Sequence, residues 1–289
     1  MEHQNLSLIT EHELSEIRHF IEQRSGILFD ESRRRFLASR IGEYLAEKRV
    51  PRGAELLRMI RSSNLEYDNL LERVLTQETS FFRYPAVFRA LQERVLPDLQ
   101  VKKRWQDPRT LRIWSAGCST GEEPYSIAMA TLDALELAPS WSIEILATDI
   151  SRSALRTAEL GTYSARELKA LSSQQIDAYF AKTENAEYQV KPKLKDMITF
   201  APMNLAQMVY MGRFDCIFCM NVLIYFSDDL RAELIRRFHD FLEPQGYLFL
   251  GHAESVAKAK VDLEPIVIGD SLMYRKLAPA SRVALQESV

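Results

Sequence analysis

Cysteine is scarce in this chain. Three are present among 289 residues, Cys118, Cys216 and Cys219, too few for a disulfide framework, so a reducing cytoplasm is the expected setting. Cys216 and Cys219 form a C-x-x-C, but a single such pair inside the apolar run FDCIFCMNV reads as a buried strand with two small apolar side chains, and no metal is expected. Long apolar runs are missing too. The stretch Cys216 to Phe226 is broken by Asn221 and is far shorter than the roughly 20 residues a membrane span needs. The first residues, MEHQNLSLITEHE, lack the basic and apolar regions of a signal peptide. Neither charge sign dominates: the formal net charge is −3, which argues against nucleic-acid binding. Glycine is absent from Thr162 to Met211, and no repeat or low-complexity segment is evident.

What is present has an ordinary globular balance, 46% apolar and 27% charged residues, with length enough for about two domains. The first hundred residues read as helices. Thr10-x-x-Glu13 has the form of a capping box. Asp30 is placed to cap a second helix, with Phe36, Leu37, Ile41, Tyr44 and Leu45 at helical spacing. Pro51 and Gly53 punctuate, two shorter helices reach about Gln77, and a further helix runs from Pro85 to about Trp105. After Pro108 the pattern changes. Apolar runs at Leu111–Ala116, Ser142–Asp149, Phe214–Asn221 and Gly246–Gly251 alternate with helical stretches at Glu122–Leu137, Ser151–Leu160 and Asp228–Leu242. That alternation predicts βαβ units and a mainly parallel sheet. Two short strands around Ile266–Ile268 and Leu272–Arg275 flank Gly269-Asp270 as a hairpin. The segment from Gly161 to Gly212 breaks the alternation. It carries helical stretches at Ser164–Leu171 and Gln174–Phe180 and alternating runs at Glu187–Lys191 and Asp196–Ala201. It reads as an insertion with its own strands, of the kind that shapes specificity.

The strongest local signal is WSAGCSTGEEPYS, Trp114 to Ser126. A buried strand enters a turn with Gly117 and Gly121, and a helix follows. Small residues let backbone approach a ligand, and a helix N-terminus projects free N–H groups. Glu122 and Glu123 open that helix. They would repel a pyrophosphate but suit a ligand carrying an ammonium and a sulfonium, such as S-adenosylmethionine; they are also favourable partners for the helix dipole. Asp149, in ATDIS, ends the second strand 28 residues after Gly121. In doubly wound folds an acid there bonds the ribose hydroxyls of an adenosine ligand; the alternative is a helix cap. Asp149 does not separate NAD from S-adenosylmethionine, whereas the Glu pair favours the latter.

With these segments in hand the chain resembles the CheR family of chemoreceptor glutamate methyltransferases. The matching stretches are TQETSFFR (Thr76–Arg83), WSAGCSTGEEPYSIAM (Trp114–Met129), ATDIS (Ala147–Ser151), FDCIFCMNVLIYF (Phe214–Phe226) and GYLFLGHAES (Gly246–Ser255). The resemblance implies a Rossmann-like class I α/β methyltransferase domain with an N-terminal all-helical domain and a small β-subdomain insertion. Its expected boundaries are 1–84 for a helical receptor-docking domain, 85–107 for a linker helix and 108–289 for the methyltransferase domain, with the insertion at 162–203. It implies S-adenosyl-L-methionine as cofactor, with S-adenosyl-L-homocysteine as product. Gln77, Thr79, Arg83 and Gly117 are expected at the cofactor, Glu122 on its amino group, Asp149 on the ribose, and Asn204 and Leu205 flanking the adenine. The strand-end pair is Met220-Asn221, where relatives usually carry Arg-Asn; relatives also carry Asn where this chain has Gln77. Tyr225 is expected near the transferred methyl, the alternative being a core aromatic. His252 and Glu254 are read as structural.

The implied reaction asks little of acid–base chemistry. A glutamate side chain titrates near ~4.3 and is ionised at neutral pH. It needs no general base, which fits the lack of a Ser/His/Asp or Cys/His constellation. Holding the reacting atoms in line supplies up to ~7–11 kcal/mol in favourable cases. Arg83 and Tyr225 are therefore cast as positioning groups.

The implied partner is the cytoplasmic domain of methyl-accepting chemotaxis receptors. From Arg18 to Arg61 there are eleven Arg or Lys against six Asp or Glu, an excess of five positive charges. Arg33, Arg34, Arg35 and Arg40 cluster at the start of the second helix, and the family docks an acidic receptor region there; the alternative is a solvated helix face. Some family members also grip a receptor's C-terminal peptide on the β-subdomain, using a glycine-bearing loop. The glycine-free stretch here predicts independence from that tether. Two other readings stay open at this stage: a methyltransferase acting on RNA or a small metabolite, and a non-catalytic S-adenosylmethionine-sensing or receptor-binding module.

Overall fold

The computed structural model describes residues 9–106, 108–135 and 141–278. Four helices come first: α1 (Glu11–Ser25), α2 (Glu31–Lys48), α3 (Gly53–Ser62) and α4 (Asn64–Val74). Each begins where the sequence supplies caps. Thr10 and Glu13 form the full capping box of α1, and Asp30 accepts from Arg33 N at the start of α2. Leu37, Ile41, Tyr44 and Leu45 are buried on one face of α2, as their spacing requires.

A long helix then crosses to the second unit: α5 (Pro85–Ala90), a π-helical turn (Leu91–Val95) and α6 (Leu96–Lys103). Its end is tied to the sheet by a buried ion pair, Lys103 Nζ to Asp215 Oδ2 at 2.5 Å. The same amine donates to the Thr110 carbonyl.

The second unit is a seven-stranded sheet in the order β6-β2-β1-β7-β8-β10-β9. Its strands are β1 (Arg109–Ala116), β2 (Trp141–Asp149), β6 (Ile198–Pro202), β7 (Phe214–Cys219), β8 (Leu242–Leu250), β9 (Leu263–Ile268) and β10 (Ser271–Lys276). β6, β2, β1, β7 and β8 run parallel, and β10 is antiparallel to both β8 and β9, the latter pair being the expected hairpin. Helices α7 (Glu122–Leu135), α8 (Arg152–Leu160) and α11 (Asp228–Phe241) are the crossovers. Cys216 and Cys219 are free, buried thiols of β7, and burial pushes both well above the usual thiol range. Among the described residues no helix is long and apolar enough to cross a membrane.

The insertion differs from expectation. Its sheet has three short strands, β3 (Thr162–Tyr163), β4 (Phe180–Lys182) and β5 (Tyr188–Val190), in the order β3-β5-β4. Between them, α9 spans Ser173–Tyr179, but the predicted helix at Ser164–Leu171 is only a 3-10 turn, Glu167–Ala170. The run predicted at Asp196–Ala201 is not part of this unit. After the single turn α10 (Pro192–Lys195), β6 pairs with β2 from Ile145↔Ile198 to Asp149↔Pro202. The small sheet therefore ends near residue 190, and residues 198–202 belong to the main sheet's edge. An alternating pattern fixes a strand's faces but not its neighbour.

Apolar packing is continuous between the helical unit and one face of the sheet. Ile17, Leu37 and Leu70 share a cluster with Leu205, Phe226, Trp114 and Phe238. Gly26 lets α1 end against that face: it has φ +79, and a Cβ there would lie 2.6 Å from the Cβ of Ala206.

Candidate functional site

One large cleft, about 1250 Å³ out to its open mouth, lies between the helical unit and the carboxyl ends of β1, β2 and β7. This is the usual ligand crevice of an open α/β sheet. Three strand ends and one strap build it.

The first wall is the β1 turn. Gly117 has φ +92, and a Cβ there would lie 2.4 Å from Val222, so only glycine brings this turn so close to the β7 loop. Gly117 N and Cys118 N both donate to the Thr148 carbonyl. Tyr163 Oη donates to the Thr120 carbonyl and pins the turn from behind.

Glu122, expected on the amino group of the cofactor, is placed away from the cleft. Glu122 is 4% exposed, accepts from Thr120 Oγ1 at 2.7 Å, and does not reach the cleft. Burial pushes its carboxyl up. Its neighbour Glu123 lines the cleft. Consecutive helical residues point about 100° apart, so one member of the pair faces the cleft and the other the β-subdomain. Glu123 accepts from Ser115 Oγ at 2.6 Å. Burial pushes its carboxyl up to about 7, against the lowering hydrogen bond from Ser115.

The second wall is the end of β2. Asp149 Oδ2 accepts from Ser119 N and Oδ1 from Ser151 N, both at 2.8 Å. Burial raises its carboxyl, while these N–H groups hold it down. Each carboxylate oxygen keeps a lone pair for a ligand hydroxyl.

The third wall is the loop after β7. Met220, Asn221 and Tyr225 line the cleft. Glu254 holds the loop: its carboxylate accepts from Asn221 N, Ile224 N and Gly251 N at 3.1, 3.2 and 2.6 Å. Its companion His252 is exposed and meets the Tyr84 ring edge-on. Asn204 and Leu205 complete this side. The Asn204 side chain is engaged elsewhere, donating to the Arg24 carbonyl and accepting from Ala206 N.

The strap is residues 76–83. Phe81 is buried edge-on against Tyr163 and Phe180, and Phe82 N donates to Ser126 Oγ. Those anchors turn Gln77, Thr79 and Arg83 to the cleft. Arg83 Nη1 donates to the Glu78 carbonyl at 2.6 Å.

Of the arginines Arg33, Arg34 and Arg40 on α2, Arg33 is the one that meets a cleft-lining residue. Its guanidinium lies over the Tyr225 ring at 4.9 Å and donates to Thr76 Oγ1. Arg34 pairs with Glu11 and Glu31, and Arg40 with Glu43.

Residues 77–269 match the family model for the CheR methyltransferase SAM-binding domain, and residues 12–75 match the CheR all-alpha domain. The chain belongs to the CheR methyltransferase family. It is 34% identical over 259 residues to chemotaxis protein methyltransferase 2 of Vibrio cholerae, covering 88% of this chain and 89% of that one. It is 34% identical over 258 residues to the chemotaxis protein methyltransferase of Borreliella burgdorferi, covering 87% and 91%. It is 35% identical over 247 residues to that of Escherichia coli K12, covering 83% and 82%. The cofactor of this CheR domain is S-adenosyl-L-methionine. The cleft suits it: among the described residues, Glu78, Glu123 and Asp149 line it against the single cation Arg83, as a cationic ligand requires, and Ser119 Oγ and Asn221 Oδ1 on the wall have no hydrogen-bond partner.

Proposed function

We propose that this enzyme transfers a methyl group from S-adenosyl-L-methionine to glutamate carboxylates of bacterial chemoreceptors, giving methyl esters. The observation that carries the reading is the pairing of a cationic-ligand cleft with an Arg33–Tyr225 mouth supplied by two domains. Gly117, Asp149, Asn204, Leu205, Met220 and Asn221 enclose the adenosine side, Glu123 faces the amino group, and Gln77, Thr79 and Arg83 close over the cofactor. The cofactor supplies an electrophilic methyl whose bond to sulfur breaks, the electron pair staying on sulfur, as the carboxylate oxygen bonds to carbon. Arg83, Arg33 and Tyr225 orient the incoming carboxylate; no side chain moves a proton.

Radiolabelled methyl transfer to a purified receptor cytoplasmic fragment tests the reaction. The label should leave as methanol in mild alkali, as a methyl ester must. Alkali-stable label, or none, would reject the reading. Arg40→Glu should slow labelling about tenfold in low salt and progressively less as salt rises, because exposed charges are screened beyond ~8 Å at physiological ionic strength. A wild-type rate in low salt would make Arg40 a solvated residue only.

The same reading includes independence from a receptor tail peptide. The β4–β5 connection is short and closed on itself: Thr183 N donates to the Glu187 carbonyl, and Glu187 N to Thr183 Oγ1. The edge strand β4 has only three residues. Added strands bind through open backbone groups along an edge, and little edge is offered here. Removing the receptor's C-terminal tail should leave the labelling rate within about twofold; tight binding of the free tail peptide, in the micromolar range or better (about −8 kcal/mol), would overturn this part.

A further inference from the structure

The helical domain braces the wall of the cofactor site through one carboxylate that belongs to neither the strap nor the strand ends. Glu72, on α4, accepts from Ser151 Oγ and Ser153 Oγ, each at 2.6 Å on Oε2, and from Ser153 N at 3.0 Å on Oε1. It thus sits on the N-terminus of α8, just past the end of β2.

Ser151 is 1% exposed, and its hydroxyl is fully committed. Its one proton goes to Glu72. Its two lone pairs accept from Ala154 N at 3.0 Å and Gln77 Nε2 at 2.9 Å. A hydroxyl has one donor and two acceptor sites, so the proton order is determined. Because Glu72 takes the proton, Gln77 must present its NH₂ to Ser151, and the Gln77 carbonyl oxygen is the end left for the cleft. The Ser151 backbone N–H is also the donor that holds Asp149 Oδ1. Without Glu72 the Ser151 proton is free to turn to Gln77, and an amide rotation then costs nothing at Ser151. The negative charge of Glu72 also contributes, behind burial, to raising the Asp149 carboxyl.

We propose that Glu72 is a positioning residue of the cofactor site: acting through Ser151, it sets which end of the Gln77 amide faces the ligand and steadies the Asp149 loop, linking the seating of the helical domain to cofactor binding. This rests on the cofactor site alone and not on the receptor reading, and its deciding test, binding of S-adenosylhomocysteine, uses no receptor.

The experiment is calorimetric titration of S-adenosylhomocysteine into the full chain, with thermal melts of each variant. Glu72→Ala should bind about tenfold more weakly, as loss of a charge-assisted hydrogen bond predicts. Glu72→Gln keeps the volume and one acceptor for Ser151 and should recover to within about threefold. Ser153→Ala removes the Ser153 Oγ bond to Glu72 and that hydroxyl's 3.2 Å contact with Ser151 Oγ, keeps the Glu72–Ser151, Ser151–Gln77 and Ser151–Asp149 hydrogen bonds, and should stay within about twofold. In methyl-transfer kinetics, Glu72→Ala should raise the KM for S-adenosylmethionine with little change in kcat. Equal weakening by Glu72→Ala and Ser153→Ala would mean generic loosening of the interface and overturn the proposal, as would unchanged affinity in folded Glu72→Ala. Should Glu72→Ala not fold, Ser151→Ala decides: it removes the hydroxyl through which Glu72 acts on Gln77 and should weaken binding about tenfold, and wild-type affinity in the folded variant overturns the proposal.

Discussion

S-adenosylhomocysteine should bind this protein progressively more weakly as pH falls below about 7, by about tenfold per pH unit, and Glu123→Gln should abolish that slope. Burial raises the Glu123 carboxyl from an ordinary value of 4.5 to about 7 in the free protein. A ligand ammonium beside it favours the ionised form. Binding near neutral pH and below therefore has to expel a proton, and affinity drops with each unit below the free-site value. Gln keeps the shape and an acceptor for Ser115 Oγ but carries no charge to lose. Its affinity at pH 8 should be lower by about tenfold or more, because a hydrogen bond to a charged group is worth roughly 1.5–3 kcal/mol. Stability runs the opposite way. An acid whose folded-state value is raised contributes stability below its unfolded value, and that contribution is lost as pH rises from 4.5 to about 7. The free protein should thus lose stability over that window through this group, and bound S-adenosylhomocysteine should offset the loss. A flat wild-type affinity between pH 6 and pH 8, or an equal slope in Glu123→Gln, would remove Glu123 from the ammonium site. Titrations of Glu122→Gln serve as the contrast: Glu122 lies outside the cleft, and its substitution should leave the slope in place.

That contrast also marks how far the sequence could be read. Periodicity, caps and turn residues are enough for most of the helices, the strand–helix alternation of the βαβ units and the terminal hairpin, because each is decided within a dozen or so residues; the order of strands in the sheet is not local and is seen only in the fold. The glycine turn and Asp149 were legible for the same reason: a strand end followed by a helix start is a local pattern. Glu122 and Glu123 were seen as a pair, but their phase depends on Tyr163 and Thr120 pinning the turn from the β-subdomain side, a contact made more than forty residues away in the chain. The alternating run at Ile198–Pro202 marks a strand but not its sheet, since its partner β2 lies beyond α8 and the whole small sheet. Arg33, Arg34, Arg35 and Arg40 were indistinguishable as a charge cluster. Only the fold shows that Arg33 stacks on Tyr225 while Arg34 and Arg40 are paired along the helices. Glu72 left no signal at all. It is one acid on a helix rich in them, and its meaning comes from the serine it faces.

Glu254 is the last case, and its removal should be the most damaging single change to the protein's stability. The residue does no chemistry in the transfer, yet its carboxylate collects three backbone N–H groups, those of Asn221, Ile224 and Gly251. It is 9% exposed, so water replaces few of those bonds if the side chain is cut back. Asn221 also holds a left-handed backbone, φ 62, a conformation that costs a non-glycine residue free energy and persists only when its surroundings enforce it. Glu254→Ala leaves buried donors unpaired at roughly 1–3 kcal/mol each. Incomplete relaxation of the loop makes the sum less than additive, so a loss of about 3–5 kcal/mol is expected in urea unfolding. The same loop carries Met220, Asn221 and Tyr225 along the cleft, so S-adenosylhomocysteine should bind the surviving folded fraction more weakly as well. Glu254→Gln should fall between, because its amide offers one accepting oxygen and turns a donor toward another N–H. Both measurements belong together. A stability change under about 1 kcal/mol in Glu254→Ala would show that the loop holds its own shape, and wild-type affinity in a destabilised variant would show that the carboxylate supports the fold without shaping the cofactor wall.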